Sequence, residues 1–379
     1  MINQPKTFRG RLNRWKTKAL ITAQDFLLPT LGEAKPGSFW QSLIRNFSQK
    51  FIGGYPYVIK LDLTNRCNLK CKMCYAANDG TALSFEKIIE ILSQFHNVPI
   101  RLDLLGGEPL MRDDLVEVVK FAKAKIRVKQ IVLFTNATLM TEKLANNLFL
   151  AGVDKALVTF ISFDAQKHDA FTDVPASWGQ AIEGINHLAK AGIKTHTFTA
   201  LHRENIGDFE QINKFVQNKL KLHPLFYQYV PQRKNDPLSP DPNDWQKIKN
   251  QILSANAEHF RYIKRVLTFY GRICLGGHYS FSIKTNGGVT PCPFIRDPEI
   301  GNVFKENFWD IFAQRFAKEK FRKFMSLPEE CRKCSIKNFC GGGCRAGNNL
   351  TDAGYSRYDD SCPGPSSEPV SINTLPTFF

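Results

Sequence analysis

Residues 57–76, YVIKLDLTNRCNLKCKMCYA, decide the fold. An apolar, β-branched run (57–63) ends in a loop that holds Cys67, Cys71 and Cys74, and no cysteine follows until Cys274. A buried strand that delivers three thiols from its C-terminal end is the first unit of a repeating pattern. SFEKIIEILSQF (84–95) has apolar residues at helical spacing with Ser84 placed as N-cap, and IRLDLL (100–105) is strand-like again. The alternation runs on through RDDLVEVVKFAKA (112–124), KQIVLFT (129–135), TEKLANNLFLAG (141–152), KALVTFISF (155–163) and GQAIEGINHLAKAG (179–192). It ends with IKTHTFTAL (193–201), GDFEQINKFVQNKL (207–220) and HPLFYQYV (223–230). Strands alternating with helices predict an α/β fold built on a parallel sheet with right-handed crossovers. Six units rather than eight favour a partial, TIM-like (β/α)6 barrel, although an open doubly wound sheet satisfies the same pattern. In both architectures ligands gather at the C-terminal ends of the strands.

The chain has 379 residues, 43% of them hydrophobic, enough for a large core. No apolar run is long enough to span a bilayer, and no secretory signal is evident. Ten cysteines without an export signal point to metal or redox use in a reducing cytoplasm rather than to disulfides. The net charge of +16 attracts anionic partners. Lys6, Arg9, Arg11, Arg14, Lys16 and Lys18 sit near the start without an acid among residues 1–20. With Leu12, Trp15 and Leu20 they fit a basic amphipathic helix, read either as a membrane-surface or partner-docking segment or as a tail packed on the domain. Base-stacking motifs are absent, so nucleic acid is set aside as a partner. The domains expected are a basic, partly helical segment (1–54), the barrel (55–232), a Pro- and Asp-rich linker with a helical bridge (233–270), a cysteine-rich domain (271–365) and a loose tail (366–379). The cysteine-rich third shows little periodicity and is expected to need metal as its staple.

Three thiolates at this spacing can wrap one face of an iron–sulfur cube, which normally takes four cysteines. The fourth position would then be open, the mark of a working site. A zinc knuckle completed by a distant ligand, or plain buried thiols, would use the same residues. The neighbouring motifs separate these readings. The cysteine loop after the first strand, GGEP (Gly106, Gly107, Glu108, Pro109) after the second, TNA with Asn136 after the third and SFD with Ser162 and Asp164 after the fourth together resemble the radical S-adenosylmethionine (SAM) superfamily. That resemblance implies a [4Fe–4S] cluster whose open iron is chelated by SAM, cleaved by one electron to a 5′-deoxyadenosyl radical that abstracts hydrogen from a C–H bond. It implies an electron donor such as flavodoxin or ferredoxin. It also places Tyr75 near adenine, Glu108 toward the SAM ammonium with the glycines letting backbone approach the ligand, and Ser162 and Asp164 toward the methionine and ribose oxygens. Asp164, His202 and Tyr229 lie at strand ends, but no catalytic acid or base is assigned.

The other seven cysteines resemble the SPASM extension with its two auxiliary clusters. The resemblance gives Cys274, Cys292 and Cys344 to the nearer cluster and Cys331, Cys334, Cys340 and Cys362 to the farther one. The stretch CLGGHYSFS (274–282) lacks the extra cysteine that fully ligated members carry. An open iron there is left to water, a substrate atom or His278, or the cluster is a [2Fe–2S] form. Members with this extension most often modify ribosomally made peptides, by crosslinking, epimerisation, excision or oxidation. A peptide-modifying enzyme is therefore the leading expectation, with leader recognition supplied by a separate small protein because residues 1–55 are too short and too helical for such a domain. Its rivals are a modifier of a sugar, aminoglycoside or lipid-linked molecule, and a non-enzymatic zinc-binding module.

Overall fold

The computed structural model describes residues 56–334, except 77, 234, 242, 245, 246, 248–275 and 296, together with 342–348. The expected N-terminal segment, most of the bridge and the C-terminal tail lie outside these residues. Six parallel strands form in chain order: β1 (Val58–Thr64), β2 (Arg101–Gly106), β3 (Gln130–Thr135), β4 (Lys155–Thr159), β5 (Lys194–Leu201) and β6 (His223–Gln228). Each pairs with the next, so the order runs unbroken from β6 to β1. A doubly wound sheet would reverse direction at a switch point. This one does not, and the partial-barrel reading holds.

Helices α1 (Phe85–Ser93), α2 (Leu115–Phe121), α3 (Glu142–Ala151), α4 (Ala165–Thr172), α5 (Ser177–Lys190) and α6 (Phe209–Asn218) lie between the strands. Ser84 caps α1 and Thr141 caps α3 through side-chain oxygens that accept from Lys87 N–H and Leu144 N–H. Gly152, at φ 109°, ends α3 in the left-handed conformation that glycine adopts freely. Alternate strand residues, among them Ile59, Leu61, Leu102, Leu104, Ile131, Leu133, Ala156 and Val158, pack with Ile88, Leu92, Val118, Leu148, Leu188 and Val216 of the helices. The opposite parity faces the barrel lumen. There Phe134, Thr159, Phe198, Leu225 and Tyr227 of β3 to β6 stay only half-buried despite pointing inward, so this side of the lumen is not fully packed.

The sheet continues past β1. β7 (Ser280–Ile283) pairs parallel with β1, and β8 (Gly288–Thr290) and β9 (Gly301–Asn302) follow antiparallel. The C-terminal part is therefore welded to the barrel by backbone hydrogen bonds. It also has more core than its sequence suggested. Two short helices, α7 (Phe308–Gln314) and α8 (Glu319–Met325), bury Phe308, Phe312, Phe321 and Phe324, and Phe281 of β7 joins the same cluster. Short elements give too few turns for periodicity to register, yet aromatic area alone stabilises this region substantially. Among the described residues no helix is long and apolar enough to cross a membrane.

Candidate active site

The cysteine loop leaves the C-terminal end of β1 and is pinned by α4. Lys70 N–H donates to Thr172 O at 2.9 Å and Lys72 N–H to Phe171 O at 3.1 Å, while Cys74 N–H donates to Cys71 O at 3.0 Å. The Cys67 sulfur accepts from Leu69 N–H at 3.4 Å, with Asn136 Nδ2 at 3.9 Å. Such donors favour a thiolate. Burial opposes them, pushing Cys67 up to about 11 and Cys71 up to about 12, with the neighbouring cysteines adding to both, and it raises Cys74 as well. Thiols held together in this state need a cation to ionise, which is what iron supplies. Among the described residues no three Cys, His, Asp or Glu side chains converge on one metal ion. The cysteines of an iron–sulfur cube each bind a different iron and need no such convergence. The trio fits the cluster.

GGEP does more for the protein than the sequence reading allowed. A Cβ at Gly106 would lie 2.2 Å from Thr64 O, and one at Gly107 2.2 Å from Arg66 O. The space attributed to ligand approach is thus taken by the chain's own backbone, with Gly107 N–H donating to Thr64 O (2.6 Å) and Glu108 N–H to Arg66 O (2.8 Å). Pro109 opens the buried 3-10 turn Pro109–Met111. The Glu108 carboxylate is buried and accepts from Thr135 Oγ1 (2.6 Å), Asn136 N–H (2.7 Å) and Leu110 N–H (3.0 Å). Desolvation raises its pKa to about 7 against those three bonds. Most of its acceptor capacity is engaged by protein, so a SAM ammonium would share the carboxylate rather than have it alone. Glu108 staples the ends of β2 and β3 directly beneath the cysteine loop. Glu108→Ala, which orphans three buried donors, is expected to lower unfolding stability by about 3 kcal/mol at roughly 1 kcal/mol per bond, read from denaturant midpoints.

Asn136 extends the staple to the cluster loop. Its Nδ2 donates to Asn68 Oδ1 (3.0 Å), its Oδ1 accepts from Thr138 N–H (2.9 Å), and Asn68 Nδ2 donates to Thr138 Oγ1 (2.8 Å). Asp164 serves as N-cap of α4, accepting from Lys167 N–H at 2.9 Å, while Ser162 Oγ accepts from Asp164 N–H at 3.1 Å. Both thus have local structural partners at the mouth. Tyr229 is buried with its hydroxyl donating to Asp236 at 2.8 Å, a core role. His202 is buried, stacked on Phe171 at 4.2 Å, and kept neutral by burial, with a pKa of about 3. Its Nδ1 accepts from Glu204 N–H at 3.2 Å.

Tyr75 stands where the two iron–sulfur regions meet. Its ring is edge-on to Phe294 at 4.9 Å, two residues beyond Cys292. Burial raises its hydroxyl pKa well above the usual value, and the charges of Asp62, Cys74, Tyr227 and Cys292 add to that. Lys284 lies over the ring at 5.2 Å, pairs with Asp62 at 3.2 Å and donates to Pro293 O at 2.5 Å. Asp62 and Lys284 escaped the sequence reading, although a charged residue inside apolar β1 and another directly after apolar β7 were the available signal. From Tyr75 and Phe294 an aromatic wall descends through Tyr227, Phe198 and Phe134. Of the seven C-terminal cysteines, Cys292, Cys331, Cys334 and Cys344 lie among the described residues, with Cys331 buried; Cys274, Cys340 and Cys362 lie outside them. His278 precedes β7, its pKa lowered by burial and by the charge of Arg315.

Residues 61–216 match the radical SAM superfamily and residues 274–335 match SPASM, an iron–sulfur cluster-binding domain. The chain thus carries a radical SAM domain followed by a SPASM domain. Those domains imply a [4Fe–4S] cluster with SAM and auxiliary iron–sulfur clusters. The AdoMet-dependent heme synthase of Nitratidesulfovibrio vulgaris is 28% identical over 327 residues, covering 76% of this chain and 87% of that protein. The PqqA peptide cyclase of Granulibacter bethesdensis is 23% identical over 315 residues, 76% of this chain and 82% of that protein. The structure of anSMEcpe with bound AdoMet and the Cp18Cys peptide is similar in fold, with a TM-score of 0.66 at 19% identity over 81% of this chain and 94% of that one.

Proposed function

We propose that this radical SAM enzyme modifies a ribosomally made peptide, one of whose side chains enters the barrel lumen. The observation that carries the reading is the aromatic wall under the cysteine loop, where Phe134, Phe198 and Tyr227 point into the lumen yet stay half-buried, with Tyr75 and Phe294 in contact above them. When bound, the cluster and SAM supply a radical able to abstract hydrogen from an unactivated C–H bond. Cys67, Cys71 and Cys74 would hold the cluster, and Tyr75, Gly106, Gly107, Glu108, Pro109, Asn136, Ser162 and Asp164 would surround SAM. The chain's part is to place one apolar C–H in the lumen and to keep water from it. Support comes from the PqqA peptide cyclase relative and from the fold shared with a peptide-bound enzyme.

A second reading is favoured by the heme synthase relative: a tetrapyrrole whose flat face lies on the aromatic wall. An anaerobic pull-down separates the two, with cluster-loaded protein as bait, source-cell extract as prey and mass spectrometry as readout. A retained small acidic peptide, alone or with a leader-binding protein, supports the first reading. A Soret shift on adding a carboxylated porphyrin, with no peptide retained, overturns it in favour of the second.

A further inference from the structure

The floor of the barrel, at the opposite end of the strands from the cysteine loop, carries charge that the radical chemistry does not use. Strand register places Lys60, Asp103, Val132, Lys155 and Lys194 in one row across β1 to β5, all on the lumen face. Arg101 flanks the row, and His196 and His223 form a neighbouring pair on β5 and β6 with ring centres 6.1 Å apart. The only carboxylate in the row is Asp103. It is fully buried and already shared by Lys60 Nζ at 2.8 Å and Arg101 Nε at 2.6 Å. That leaves Lys155 and Lys194 directly opposite each other on adjacent strands, about 4.8 Å apart at the backbone. Like charges so placed destabilise a sheet. Lys155 feels this: burial lowers its pKa first, then the charges of Arg101 and Lys194, with Asp103 pulling the other way. Lys155 is half-buried on the lumen face, and Lys194, the first residue of β5, stands exposed beside it at the rim of the floor.

We infer that the barrel floor is a binding site for a phosphate-type anion, bridged by Lys155 and Lys194, with Arg101 and the imidazoles of His196 and His223 at its edge. A tetrahedral dianion placed between two in-register lysines on adjacent strands would offset their repulsion, and lysine is a common point-charge partner of phosphate. The site is about 15 Å along the strands from the cysteine loop, so it is separate from the SAM site. The phosphate could belong to a free ligand or to a lipid headgroup.

The test follows the unfolding temperature of anaerobic, cluster-loaded full-length protein as inorganic phosphate is titrated against potassium chloride at matched ionic strength. Phosphate is expected to raise it in the wild type, with the apparent affinity weakened about tenfold in Lys155→Gln and in Lys194→Gln, the loss of one charge-assisted contact. In Lys155→Met/Lys194→Met the response should vanish, while stability without phosphate equals or exceeds wild type because the repulsion is gone. A purely structural role for the lysines predicts the reverse, a less stable double variant that still responds. No response in the wild type, or an equal response in the single variants, overturns the site. Co-sedimentation with phosphatidylglycerol vesicles then assigns the source. Binding that needs the same two lysines makes it a lipid phosphate, and a phosphate response without vesicle binding makes it a free one.

Discussion

Cys71→Ala is expected to bring 5′-deoxyadenosine formation from SAM below detection, a loss of at least about a thousandfold, comparable with removing a residue on which the whole reaction depends. Iron should fall by about four per chain while the auxiliary-cluster signals in electron paramagnetic resonance persist. Cys71 is the middle member of the trio, and its pKa responds to both of the other thiols. The loop should keep its path without it, because Lys70 and Lys72 hang from α4 through their own backbone N–H groups. The change therefore removes a ligand and leaves the fold. Undiminished 5′-deoxyadenosine from this variant would mean that the first cluster is held elsewhere, and the assignment of Cys67, Cys71 and Cys74 would fail with it.

The parallel strands were legible because each is buried on the helix side and flanked by turn residues, so apolar runs and caps agreed at both ends. α4 was not. AQKHDAFT offers only His168, Phe171 and Thr172 to the core, and the reading of strand four ran on to residue 163 where the strand stops at Thr159. What holds α4 is tertiary: Asp169 accepts from Ala176 N–H, Ser177 Oγ and Trp178 N–H. No local pattern announces that network, yet α4 carries the cysteine loop. Motif chemistry shows a related limit. GGEP was read for a ligand, but its glycines make room for residues 64–66 and its glutamate ties β2 to β3. A motif marks where chain and cofactor must both fit, and sequence alone does not divide the labour between them. Phe281, Phe308 and Phe321 went unread for the opposite reason, since single aromatics in short elements form a core only once the chain has folded.

Lys284→Met is expected to be the most destabilising single change in the described lumen, because it leaves the carboxylate of Asp62 buried and without its closest cation. Breaking a buried pair in this way costs on the order of 3–5 kcal/mol. The pair is well shielded, with the Asp62 side chain 5% exposed, and among the described residues its Oδ1 has no hydrogen-bond partner at all. Burial already raises the pKa of Asp62 above 3.8, against the pull of Lys284 and Lys60, and losing Lys284 raises it further. An acid whose folded pKa lies above its unfolded one stabilises fully below the unfolded value and loses that contribution as pH rises through the folded value. The deficit of Lys284→Met relative to wild type should therefore be small near pH 4, grow as pH rises, and level off above the new folded pKa. Asp62→Asn in the same chain should flatten that dependence, and urea midpoints at several pH values read all three proteins. Lys284 also holds Pro293 O beside Cys292 and lies over Tyr75 beside Cys74. A pH-independent deficit in the single variant would instead assign its cost to lost packing of the lysine stem.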